Sequence, residues 1–270
     1  MELSAKDVMK LRDKTNLPMM ACKAALMEAK GDFEKAEEIL RKQLKGKMDT
    51  KTDRAAGEGR IAVALSREAA AIVEVRTETD FTAKNPKFVE AAQKVADMLL
   101  SEPAGEIPAS PKITAVIDEL RISTGENAQY VRGHKLTQDP GTGAFGHYVH
   151  HDGKTGVVVQ ATGSISDETL RDICMHITAA TPRPVAVSIQ DIPADMAEKE
   201  RRFRIEQAME SGKPKEIAEK MVEGGMRKFY EERALLEQPF IRDESRKIKD
   251  VIGPKATVVG FLRWQVGEQR

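Results

Sequence analysis

Several constellations in the chain carry residue types that could do chemistry. Gly153-Lys154-Thr155 has the ending of a phosphate-binding loop, where backbone amides and a lysine cradle phosphate oxygens. The earlier glycine of such a loop falls at Tyr148, and a strand-like run follows where a helix should begin, so the match is discounted. His147, His150, His151 and Asp152 are of metal-ligating type, but they straddle an expected hairpin turn, and His134 is the only other histidine near them in sequence. A chance cluster is the favoured reading. Cys174 and His176 share an apolar helical stretch, yet neighbours at that spacing point in different directions, which leaves the thiol without a base. No reaction centre, cofactor site or metal site emerges. The last constellation, Asp80-Phe81, sets a carboxylate beside a ring in an otherwise polar segment.

Rigid elements flank that pair. Ala69 to Val75 (AAAIVEV) reads as a buried strand, and Asn85-Pro86 is a capping side chain ahead of a proline, a usual way into a helix. Two readings of the turn between them are open. The ring can tuck into the domain core while Asp80 caps a backbone amide, which pattern alone favours, or the junction can present Phe81 outward.

The rest of the chain supplies the frame. Ser4 and Asp7 have capping-box spacing, and Val8, Leu11 and Thr15 mark a helix face up to Asn16. Met19 to Ala29 forms a second helix stopped at Gly31, and Asp32 opens a third with Phe33, Ala36, Ile39, Leu40 and Leu44 on one face. Adjacent Met19 and Met20 cannot both face one narrow core stripe; either both close the bundle or at least one is a soft contact surface. Residues 46–59 are polar and aperiodic, and read as a linker that tethers the bundle. Residues 60–125 form a first half: strands at Ile61 to Leu65 and Ala69 to Val75, a helix with Phe88, Ala91, Ala92, Val95, Met98 and Leu99 inward, a loop from Pro103 to Pro111, and a helix with Ile113, Val116, Ile117 and Leu120 on one face. Residues 126–270 form a second half with strands at Tyr130 to Leu136, Phe145 to His150 and Gly156 to Ala161, a helix from Asp167 to Ala180 with Leu170, Ile173, Cys174 and Ile177 inward, and a last strand from Ala256 to Val266. Its order loosely echoes the first, which suggests an internal duplication. Within it, residues 193–235 read as a projecting helical hairpin turning at Gly212 and Pro214. The expected class is α+β.

Charge and composition narrow the partners. Lysine and arginine number 43, as do aspartate and glutamate, so no global field favours nucleic acid or an anionic membrane, and the expected partner is a protein or a small molecule. Cys22 and Cys174 lie far apart in apolar helical patterns, as reduced buried thiols do. No apolar run approaches the roughly 20 residues of a membrane span, and Met1-Glu2-Leu3-Ser4 opens no signal peptide. The expected address is the cytoplasm.

Three separated motifs resemble the elongation factor Ts family. Glu78-Thr79-Asp80-Phe81 with Ala83-Lys84-Asn85 is similar to its signature. Leu11-Arg12-Asp13-Lys14-Thr15 with Met19-Met20-Ala21-Cys22-Lys23-Ala24-Ala25-Leu26 is similar to its opening motif. Ser211-Gly212-Lys213-Pro214-Lys215 through Gly224, then Gln238-Pro239-Phe240, resembles its hairpin segment. Tyr148-Val149-His150 and Met175-His176 match shorter family segments, and Gly125-Glu126-Asn127 matches its step into a strand. The chain departs from the family pattern at Ala21, Arg76, Thr82 and Gly225, the last expected to loosen its helix. The resemblance implies a ubiquitin-associated-like bundle over residues 1–45 and guanine-nucleotide exchange on elongation factor Tu without covalent chemistry. It implies that Thr79, Asp80, Phe81 and Thr82 dislodge the partner's Mg²⁺, with Phe81 as the wedge. Further contacts fall at Met19, Met20, His150, Met175 and His176; for His176 a core role remains equally open. No nucleic acid, membrane or small-molecule substrate is expected. The competing expectation is a non-catalytic adaptor or scaffold working through the bundle.

Overall fold

A computed structural model describes residues 4–15, 17–49, 52–210, 212 and 214–268, without the side chains of 44–49 and 215. The expectations at Asn16, Leu44, Ser211 and Lys213 fall outside those residues. Ser4 and Asp7 cap the first helix reciprocally: Asp7 N–H donates to Ser4 Oγ at 3.2 Å and Ser4 N–H to Asp7 Oδ2 at 3.3 Å. Helices α1 (Ala5–Thr15), α2 (Met19–Glu28) and α3 (Phe33–Asp49) enclose a small core of Leu11, Cys22, Ala25, Leu26, Ala36 and Leu40. α3 runs on to Asp49, into the stretch read as linker. One glycine at Gly46 costs a nucleated helix only about 1 kcal/mol and does not stop it.

The remaining elements are β1 (Glu58–Leu65), β2 (Ala69–Thr77), α4 (Asp80–Lys84), α5 (Pro86–Leu99), β3 (Gly105–Ile107), α6 (Pro111–Thr124), β4 (Ala128–Thr137), β5 (Gly143–Val149), β6 (Thr155–Gly163), α7 (Asp167–Ala179), α8 (Ala194–Glu210), α9 (Lys215–Arg233), β7 (Pro239–Phe240), β8 (Asp243–Lys247), α10 (Ile248–Ile252) and β9 (Ala256–Gln265). They build an α+β molecule with two principal antiparallel sheets, ordered β1-β2-β4-β3 and β5-β6-β9.

β2 explains how the sheets lie. Successive side chains of a strand point to opposite faces, and both faces of β2 are buried. Ala71, Val73 and Val75 join Phe88, Ala92, Val95 and Leu99 of α5 and Ile113 and Ile117 of α6. Ala70 and Ile72 join Ile61, Val63, Phe145, Val158 and Trp264 between the two sheets. On the far side, Val157, Val159 and Ala161 meet Leu170, Ile173, Cys174 and Ile177 of α7. The order of layers is therefore helix, sheet, sheet, helix. Contact between the sheets is tight enough that a Cβ at Gly156 would sit 2.4 Å from Ile61 Cγ2. The one carboxylate that β2 turns into this interface, Glu74, is fully buried and bonded to Arg132 Nε at 2.7 Å and Arg76 Nε at 2.6 Å. Arg132 in turn lies over the Trp264 ring, 4.4 Å from its centroid.

The structure corrects several expectations. β4 does not open the second half. It pairs with β2 on one side and β3 on the other, so the first sheet extends to Thr137 and the second begins at β5. The reason is topological: β1 leaves one edge of β2 open, and the chain returns through α6 to fill it. The loop from Pro103 to Pro111 contains β3, too short for a periodic signal. The bundle is more than tethered, because Ile122 of α6 packs against its core. Helices α8 and α9 fold back on each other as the expected hairpin, turning where Gly212 takes φ +63°. α9 runs unbroken through Gly225, where a Cβ would approach Arg204 Cδ to 3.0 Å. Phe203 and Ile205 are exposed, since a two-helix arm has a single inner stripe, to which α8 contributes buried Ala208 and half-buried Met196 and Ala197.

Candidate protein-docking surface

The polar segment after β2 is a helix of a little more than one turn. Thr79 is its N-cap, accepting the Thr82 N–H at 3.3 Å, and Asn85 ends it while capping α5 through the Lys87 N–H at 2.9 Å. Pro86 then occupies the first turn of α5. Along α4, residues two apart point in nearly opposite directions. Ala83 is buried against the domain, and Phe81 is 83% exposed. The outward reading of the ring is therefore the observed one. Asp80 pairs with Lys84 at 2.7 Å, and that hydrogen bond holds its carboxyl below the usual range.

So short a helix does not hold itself, and its support comes from across the sheet. Glu126, between α6 and β4, accepts Thr77 Oγ1–H at 2.9 Å, Thr79 N–H at 3.1 Å and Thr79 Oγ1–H at 2.7 Å. In return Glu78 Oε1 accepts the Asn127 N–H at 2.7 Å. Burial pushes the Glu126 carboxyl upward, but the hydrogen bonds from Thr79, Thr82 and Thr77 outweigh it, and the group stays below its ordinary range. Sequence reasoning noticed Glu126 only as part of a step into a strand; its spatial partnership with Thr79 left no periodic trace.

The β5–β6 turn lies beside α4. Gly153 O accepts the Ile61 N–H at 2.8 Å, and Lys154 pairs with Glu58 at 2.6 Å, near enough to Asp80 to favour its charged form. Half-buried His150 belongs to this turn, with Nδ1 3.2 Å from Tyr148 Oη and its ring edge-on to His151. Met19 and Met20 are both exposed, Met20 at 74%, and neither closes the bundle core. Met175 is half-buried beside Arg242, whose Nη2 is 3.6 Å from its Sδ.

His176 falls outside this surface. It is 2% exposed, and both ring nitrogens are used: Nε2 meets Gln238 Oε1 at 2.9 Å and Nδ1 accepts the Ile241 N–H at 3.3 Å. An accepting Nδ1 fixes the proton on Nε2, so the ring is neutral. Desolvation lowers its pKa further than the Gln238 bond raises it. The expected contact through His176 is thus corrected to a structural role. It ties the Met-His helix to Gln238, whose amide also donates to Pro182 O and Glu232 O at 2.9 and 2.6 Å. Cys22 and Cys174 are free and buried, and burial pushes the Cys174 thiol up. Among the described residues no group of three His, Cys, Asp or Glu is arranged to hold a metal ion, and no helix is long and apolar enough to cross a membrane.

Fold and surface together define an α+β protein whose candidate site is a projecting ring on a clamped turn instead of a cleft. The chain belongs to the elongation factor Ts family. The family model described as "Elongation factor TS" matches residues 78–268. Proteins named "Elongation factor Ts" from Thioalkalivibrio sulfidiphilus and Thiobacillus denitrificans are 41% and 40% identical to it, each over 99% of this chain and 93% of their own length. One from Hydrogenovibrio crunogenus is 42% identical over 99% of this chain and 92% of its own.

Proposed function

We propose that this chain is a cytoplasmic guanine-nucleotide exchange factor that binds elongation factor Tu in its GDP form and speeds GDP release during translation elongation. It makes and breaks no covalent bond. A protein that binds the nucleotide-free GTPase more tightly than the GDP-bound form must weaken GDP binding by the same factor, so release follows from differential affinity. A GTPase holds its nucleotide through backbone amides and a Mg²⁺ ion with strict geometry, and small displacements of either are costly. Phe81 enters the partner as a wedge, Asp80 and Thr79 set the turn, and Thr82 lies alongside. His150, Met175 and the Met19-Met20 surface of the ubiquitin-associated-like bundle supply further contacts.

The observation that carries this reading is the exposure of Phe81 on a turn clamped from both sides. A large apolar ring held in water by rigid supports is what a docking anchor requires, and burying it on a partner contributes about 2–3 kcal/mol. Stopped-flow release of a fluorescent GDP analogue from purified elongation factor Tu tests it. Acceleration that saturates with the concentration of this protein is expected; binding without acceleration would favour a scaffold working through the bundle.

A further inference from the structure

We propose that Glu126 is the positioning residue of the wedge, fixing the pose of Phe81 through the hydroxyl of Thr79 without touching the partner's nucleotide. This deepens the exchange reading and rests on it. The Thr79 hydroxyl does two jobs at once. Its proton goes to Glu126 Oε1 at 2.7 Å, which turns a lone pair toward the Thr82 N–H and so caps α4. Glu126 Oε2 meanwhile holds the end of β2 through Thr77 Oγ1 and the Thr79 amide. Both carboxylate oxygens are thus engaged by Thr77 and Thr79 at the entry to α4, and the Thr82 side chain adds a hydrogen bond from α4 itself. Glu78 reaches the opposite way to the Asn127 amide, which closes the clamp.

The second half of the molecule gives independent support. There too a helix, a glycine at positive φ and a returning strand follow in order: α10, Gly253 and β9, against α6, Gly125 and β4. The residue after Gly125 is Glu126, and the residue after Gly253 is Pro254. No counterpart of α4 follows β6, where residues 164–166 lead directly into α7. The carboxylate stands where there is a short helix to hold, and a proline stands where there is none.

A glutamine at this position keeps the size but offers one acceptor oxygen in place of two, so the Thr77 and Thr79 donors compete for it. Glu126→Gln is therefore expected to lower the saturating rate of GDP release about tenfold, the scale of one charged hydrogen bond. The concentration for half-saturation should stay within about twofold, because the remaining contacts are intact. Thr79→Val breaks the same relay at its other end, and the double variant should be no slower than the slower single one. It also keeps the test open should Glu126→Gln fold poorly in thermal melting. A purely structural role would be overturning: it predicts a lower melting temperature, additive effects and an unchanged saturating rate. Phe81→Ala, run in parallel, separates the two levels. If it slows release while Glu126→Gln and Thr79→Val do not, only the Glu126 assignment falls; if it changes nothing, the wedge reading falls and takes this assignment with it.

Discussion

The two halves of the core share a plan and differ in where they spend extra chain. Each is a hairpin, a helix across it, a second helix, a glycine at positive φ and a strand returning beside the inner strand of the hairpin. Even the irregularities coincide. The β2–β4 ladder shifts register between Glu74 and Val75, the β6–β9 ladder between Gln160 and Ala161, and the skipped residues are the exposed Val131 and Val259. The first half inserts α4 between strand and helix. The second inserts the α8–α9 arm between helix and returning strand. The conserved geometry of the two cores is therefore a platform, and what projects from it is added at a junction. The first junction is short and clamped, as suits a ring that must keep one pose; the second is long and carries mostly solvated charge.

The sharpest way to break this comparison is to remove the ring. Phe81→Ala should lower GDP release from elongation factor Tu about a hundredfold, the equivalent of 2–3 kcal/mol, read by stopped flow. Because the side chain is already in water, the unfolding free energy should move by less than about 0.5 kcal/mol. The platform is tested at Gly156 instead. A Cβ there runs into Ile61 between the sheets, so Gly156→Val should cost about 2 kcal/mol in denaturant unfolding and leave the residual exchange rate of folded protein unchanged. Loss of exchange without loss of stability at Gly156, or the reverse at Phe81, would erase the distinction between platform and projection.

How far this organisation was legible in the sequence follows from the range of each signal. Helix faces and the first hairpin were readable because their periodicity is local: the residues expected inward on α6 and α7 are buried, as are those on α5 apart from Ala91 and Met98, which are half-buried at the margin of the face. The sheet to which β4 belongs was not, because pairing depends on which edge is free after the chain returns. For Phe81 the pattern favoured an inward ring, and only the family resemblance argued for the outward one that the structure has. His176 had the opposite fate. Its partner, Gln238, lies far along the chain, so nothing beside the histidine announced that both nitrogens would be satisfied. Glu126 was visible as a letter in a motif, but its function as a clamp exists only across the sheet.

His176 also sharpens the comparison, since α7 buries a titratable ring where α5 buries only apolar side chains. Its folded pKa is lowered by burial, from an ordinary value of 6.5. The unfolded chain therefore binds the proton first as pH falls, so the stability that the neutral ring supports is complete above about pH 6.5 and is eroded below it. The melting temperature should drop as pH is lowered from 7 toward 5, and His176→Gln, which cannot charge, should flatten that part of the profile. An equally steep profile in the variant would assign the acid sensitivity to other groups.

The smallest effect is expected on the bundle. Met20 stands on the bundle and Phe81 on the core, and the two exposed side chains have different supports. Phe81 is held by a clamp, so its pose is fixed before contact. Met20 is an unbranched thioether with free torsions, which adapts to whatever it meets and loses entropy in doing so. Such a contact adds affinity but transmits little strain. Met20→Ala should raise the half-saturating concentration about threefold, under 1 kcal/mol, and leave the saturating release rate as it was. A fall in the saturating rate would mean that the bundle shares in displacing the nucleotide, and that the division between an anchoring bundle and an acting core is drawn in the wrong place.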